Sequence, residues 1–207
     1  MLLVYSAPAC FAQTTAEAES NYEKDYKVRP FRIGAKVGFP NLIGGNIEYV
    51  TPLLNKRLAV SVDYSKLDSE WFLTIESESE YDITANTSFI EGGLNYYLFK
   101  PGSGLYAGVA YHSLSFEATT TYVDGDTEYI NETHDSFAVK LGAKLGGLFY
   151  FRPEIGYAFS SVPTSYQVEY TRHTGEKGTY REDLDTSGVP TFLLNGFIAN
   201  VGLGFAF

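Results

Sequence analysis

From residue 31 onward the chain alternates. Phe31, Ile33, Ala35 and Val37 are separated by Arg32, Gly34, Lys36 and Gly38, the two-residue period of a strand with unlike faces. Leu58, Val60, Val62 and Tyr64 alternate in the same way with Ala59, Ser61, Asp63 and Ser65. So do Phe137, Val139, Leu141 and Ala143 with Ala138, Lys140, Gly142 and Lys144, and Phe151, Pro153, Ile155 and Tyr157 with Arg152, Glu154, Gly156 and Ala158. Eight such segments are predicted, at about residues 31–38, 43–50, 58–66, 88–99, 105–118, 127–145, 149–159 and 192–207. One face is bulky and apolar, while the other holds glycine, alanine and charge. A water-soluble barrel puts its bulk inside, whereas a small barrel in lipid puts it outside around a narrow lumen. The pattern therefore predicts an all-β fold, an eight-stranded antiparallel up-and-down transmembrane β-barrel.

The connections agree. Residues 51–57, 100–104 and 146–148 would close one edge with short turns. Residues 66–87, 117–126 and 160–191 would form long, polar, Tyr-rich connections at the other edge, where only 39–45 is short. Short and long connections in alternation, with an even strand number, are the habit of membrane barrels. Asp124-Gly125, between residues 119–122 and 127–130, predicts a hairpin tip. Tyr166, Val168 and Tyr170 ahead of residues 175–178 predict a second protruding ribbon, and Trp71, Leu73 and Ile75 a third.

The inward positions nominate Arg32, Lys36, Lys140, Lys144 and Arg152 as cations and Glu48, Asp63, Glu91 and Glu154 as anions. Charges in so narrow a lumen should pair. Two readings follow: a polar plug that holds strand register, or a gated salt-bridge network that passes small ions. On the outside, Tyr81, Tyr96, Tyr111 and Tyr157 are candidates for interfacial girdles.

Composition acts mainly by exclusion. Lys and Arg number 15 against 25 Asp and Glu, a net charge of −10. That removes the basic face a nucleic-acid partner requires. The single cysteine, Cys10, excludes a disulfide framework and a cysteine-built zinc site. The chain contains no apolar run long enough for a transmembrane helix. Residues 1–12 read as a signal peptide remnant, with an apolar stretch at 2–5 and small residues at Ala9 and Ala12 but no charged start. Residues 13–29 read as a flexible polar leader and residues 30–207 as one barrel domain.

Three stretches carry a family likeness. They are the run Val37-Gly38-Phe39-Pro40-Asn41-Leu42-Ile43-Gly44-Gly45-Asn46-Ile47-Glu48-Tyr49, the segment Arg152-Pro153-Glu154-Ile155-Gly156-Tyr157, and a closing strand that ends on Phe207. Together they resemble small bacterial outer-membrane β-barrels of the OmpA, OmpX and opacity type, with a Bacteroidetes character, over about residues 30–207. The resemblance implies an outer-membrane location among lipids and lipopolysaccharide. It also implies that Val201, Leu203, Phe205 and Phe207 form the signal read by the barrel-assembly machinery. A monomer without cofactors is expected, with polar loops that could meet an extracellular ligand.

Candidate chemistry is sparse. His112-Ser113 and His134-Asp135-Ser136 invite comparison with barrel enzymes that modify lipid A, where imidazole activates a hydroxyl. The His-x-Ser-Asn motif of such deacylases is not in the chain, and adjacent strand residues face opposite ways. No catalytic residue is therefore assigned. His112 is expected to face the lumen with Tyr106, and His134 to lie at an outer rim. The acidic groups Glu76, Glu78, Glu80 and Asp82, Asp124 and Asp126, and Glu182, Asp183 and Asp185 lack calcium-loop spacing. They read as solvated loop charge, with no metal site. A soluble lipocalin-like barrel is the remaining alternative, and it would need the bulky face to line a cavity.

Overall fold

The structure, a computed structural model, describes residues 27–68, 81–161, 163–183 and 191–207. The signal remnant, most of the leader, the ribbon around Trp71 with Glu76, Glu78 and Glu80, and Asp185 lie outside those residues. The alternating segments become β1 (Phe31–Phe39), β2 (Leu42–Val50), β3 (Leu58–Asp68), β4 (Tyr81–Tyr97) and β5 (Gly104–Tyr122). They continue as β6 (Thr127–Gly146), β7 (Phe149–Ala158), β8 (Ser165–Thr171), β9 (Lys177–Asp183) and β10 (Phe197–Ala206). A single helical turn, α1 (Thr191–Leu194), precedes β10.

Strands β1 to β7 and β10 form the wall, each antiparallel to its neighbours. The wall is closed by β10, which pairs with β7 on one side and β1 on the other. This is the eight-stranded up-and-down barrel. Closure leaves the wall without an unpaired edge, the condition for a sheet to lie in lipid. The remaining hairpin, β8–β9, stands outside the wall, where Thr127–Ile130 of β6 pair with Val168–Thr171 of β8.

The two faces divide as the alternation predicts. Phe137 is 66% exposed on the outside, while Glu48 is 1% exposed within. The bulky face therefore lines no cavity, which removes the lipocalin-like alternative. Aromatic rings gather in two bands. At the edge that carries the described chain ends, Phe31 and Tyr49 have ring centroids 4.8 Å apart and Phe149 and Phe205 5.3 Å. Toward the far edge, Tyr111 and Phe137 lie 5.0 Å apart and Tyr157 and Phe159 6.1 Å. Tyr96, Tyr111 and Tyr157 are exposed on this outer surface. Tyr81 is not part of a band: it pairs with Tyr122 at the end of the β4–β5 extension.

Two boundaries differ from the sequence reading. Strand β4 begins at Tyr81 and β5 runs to Tyr122, so the described parts of the supposed loop 66–87, and residues 117–122 of the supposed loop 117–126, are paired strand. The apolar period fades there because both sheet faces leave the lipid, while Thr and Tyr keep a high strand preference. The predicted strand 192–207 starts only at Phe197, because Gly196 at φ +91° turns the chain between α1 and β10.

Candidate functional site

The lumen residues arrive on the wall by strict alternation, and eight of the nine nominated charges meet there. Arg32 on β1 pairs with Glu48 on β2, and its second guanidinium nitrogen donates to the Gly102 carbonyl in the β4–β5 turn. Arg152 on β7 lies 2.9 Å from Glu48 and 3.0 Å from Glu154. Lys36 bridges Asp63 and Glu154. Lys140 pairs with Glu91 and lies 4.0 Å from Glu154. The result is one continuous, alternating chain of charge, from Arg32 through Glu48, Arg152 and Glu154 to Lys36–Asp63 and Lys140–Glu91. Its members are almost wholly withdrawn from solvent.

Lys144, the ninth, stands apart. Its Nζ donates to the Gly146 carbonyl at 3.3 Å and sits 5.5 Å from the Tyr150 ring centre, with no carboxylate partner among the described residues.

Neutral groups complete the network; of these the sequence places only Tyr106 in the lumen. Tyr97 accepts from Arg32 at 2.6 Å and donates to Glu48 at 2.8 Å. Tyr106 accepts from Arg152 Nε at 2.7 Å and donates to Glu154. Asn46 donates to Asp63, and Asn95 to Glu48 at 3.1 Å. The Arg152 guanidinium also lies 4.8 Å from the Tyr106 ring centre. The available signal was parity, since Tyr97 stands in register with Glu91, Gly93 and Asn95 along β4. Lumen glycines make room for these rings: a Cβ at Gly142 would run into Tyr106, and one at Gly204 would meet the Tyr150 hydroxyl at 2.6 Å.

A buried ion pair is a poor source of net stability, but separating one leaves a charge without solvent at a cost of about 3–5 kcal/mol. This arrangement is therefore suited to locking seven strands in one register. It is ill suited to opening, because a passing ion would have to part several pairs at once.

The histidines are not arranged for nucleophilic catalysis. His112 is buried in the lumen with Nδ1 4.0 Å from Glu91 and its ring 5.4 Å from Phe89. His134 Nε2 lies 3.4 Å from the Ser160 carbonyl at the far rim. Among the described residues neither imidazole meets a serine hydroxyl. A small cleft between them is lined by Phe39, Pro40, Leu114 and Phe197.

One acidic group departs from the expectation of solvated loop charge. Asp126 is 5% exposed. It accepts from Arg172 at 2.5 Å and from the His173 amide at 2.8 Å, joining the tips of the β5–β6 and β8–β9 hairpins. The Arg172 hydrogen bond, aided by His173, holds its carboxyl down to about 2. Asp124, Asp126 and His173 present ligand atoms within 4.8 Å of one another, but Arg172 already supplies the positive charge there. Val201, Leu203, Phe205 and Phe207, the nominated assembly signal, all point outward into the apolar surface.

No protein-family model matches the chain, and no curated protein shows significant sequence similarity to it. Solved structures resemble it in fold. A major outer membrane protein from Thermus thermophilus shares 15% identity at a TM-score of 0.46, over 86% of this chain and 98% of that one. Acinetobacter baumannii CarO shares 13% at 0.45, over 87% of this chain and 100% of that one, and CarO2 11% at 0.42, over 88% and 100%.

Proposed function

We propose that this chain is a non-conducting, non-enzymatic barrel of the bacterial outer membrane, whose work is structural and whose protruding sheet is its recognition surface. The observation that carries the reading is the ion-paired lumen: every nominated anion is engaged, and the charges form one chain from wall to wall. On this reading the nine lumen charges are a plug, with Lys144 at its margin. Lipids and lipopolysaccharide surround the aromatic bands, and the strand ending Val201, Leu203, Phe205 and Phe207 is the segment the assembly machinery reads.

The test is planar-bilayer recording on protein whose unheated band migrates differently from its heated band, the mark of a folded membrane barrel. Conductance should be absent or small and brief. Large, stable openings would overturn the plug and restore the gated ion pore. Histidine-dependent turnover of lipid A, lost in His112→Ala or His134→Ala, would overturn the non-enzymatic reading.

A further inference from the structure

Strand β9 is the one strand of the described sheet bonded on a single side. Strand β8 covers one edge from Ser165↔Asp183 to Thr171↔Lys177, and the sheet order ends at β9. Among the described residues nothing pairs with its other edge. Such an edge invites another strand unless it is blunted. Its sequence is Lys177-Gly178-Thr179-Tyr180-Arg181-Glu182-Asp183, exposed along nearly its whole length.

The order of charges on this edge is not random protection. Antiparallel pairing of two copies centred on Tyr180 sets Lys177 opposite the partner's Asp183, and Asp183 opposite the partner's Lys177. Thr179 then meets the partner's Arg181, Gly178 the partner's Glu182, and Tyr180 its own equivalent. No like charges face each other. Parallel pairing in register would oppose Lys177, Arg181, Glu182 and Asp183 each to its own copy, which is repulsive. Inside the chain, Lys177 and Asp183 face only Thr171 and Ser165, so neither charge has a cross-strand ionic partner of its own.

We propose that the free edge of β9 binds the same edge of a second copy of this chain, antiparallel and in register about Tyr180. The proposal rests on the surface-display reading above. Direction adds a consequence. Strand β9 starts at the tip held by Asp126 and Arg172 and runs back toward the wall. Two barrels side by side in one membrane keep the same up-down sense, whereas antiparallel pairing reverses it. The edge therefore joins copies in facing membranes, and each barrel can stand alone in its own.

The experiment is light scattering of phosphatidylcholine vesicles carrying the full chain, with gel migration of heated and unheated samples run on each. Wild-type vesicles should cluster. Lys177→Asp vesicles and Asp183→Lys vesicles should each fail to cluster, while a mixture of the two should cluster again, because each variant supplies the charge the other lacks at both ends. Folded wild-type vesicles that stay dispersed would overturn the proposal, as would single variants that cluster like wild type or a mixture that stays dispersed. Wild-type protein without a heat-dependent shift would overturn the barrel reading itself, and the proposal with it.

Discussion

Glu154 is the branch point of the lumen. Its carboxylate faces Lys36, Arg152 and Lys140 and accepts from Tyr106. Removing its charge takes a carboxylate from three buried cations at once, leaving Lys36 with Asp63 alone, Arg152 with Glu48 and Lys140 with Glu91. Glu154→Gln should therefore cost about 3–5 kcal/mol of barrel stability, seen as a lower denaturant midpoint for loss of the fast-migrating folded form. Lys144→Met should change that midpoint little, by about 1 kcal/mol or less, because only a carbonyl and a ring are lost. Equal costs at the two sites would mean that the connected pairs do not act as a unit. Asp126 makes a pH prediction with a definite sign. Its carboxyl is held down to about 2, below the roughly 3.9 of a free aspartate, so the contact contributes fully above the free value and is lost as pH falls toward the lower one. Amide exchange in β8 should be steady from pH 5 to 8 apart from intrinsic chemistry, and protection should drop between about pH 4 and 2. Asp126→Asn should show the loosened state at neutral pH.

At the scale of elements, the wall and the protrusion are separable. Strand β7 pairs with β10 along its length, from Phe149↔Phe205 to Tyr157↔Phe197, with no contribution from β8 or β9. The hairpin is joined to the β5–β6 ribbon by four register pairs with β6, by the Gln167 amide donating to Glu132 at 3.0 Å, and by the latch at Asp126. Deleting β8 and β9 and rejoining β7 to β10 through a short turn should leave the heat-dependent gel shift in place. Vesicle clustering should disappear. A deletion that no longer folds would show that the hairpin holds the barrel together. Strands β4 and β5 carry the other half of the protrusion, pairing from Tyr97↔Tyr106 to Tyr81↔Tyr122. These long strands were only half legible in the sequence. Within the lipid-facing part, Ile90, Leu94 and Tyr96 alternate with Glu91, Gly93 and Asn95; beyond it, water on both faces removes the pressure for alternation.

For the whole molecule, the decisive property is that charge lies inside and grease outside. In water such an object would expose a continuous apolar belt; in a bilayer the belt is matched to hydrocarbon and the aromatic bands to its borders. The same inversion fills the lumen with buried, mutually paired charges, which is why silence in bilayer recordings is the expected result. Much of this was determined along the chain itself. A period of two fixes which residues face together, so the alternation of Arg32, Lys36, Glu48 and Asp63 with apolar neighbours was enough to place all of them in one lumen. Which charge meets which was not so determined. The pairing of Arg152 with Glu48, more than a hundred residues earlier, the isolation of Lys144 and the entry of Tyr97 and Tyr106 into the network depend on the stagger between strands and the angle at which the wall closes. The latch from Asp126 to Arg172, and the edge of β9 that it presents, likewise arose only when two hairpins distant in sequence were set tip to tip. Periodicity is a local property that backbone geometry enforces residue by residue, whereas register across a closed barrel is settled by all eight strands together.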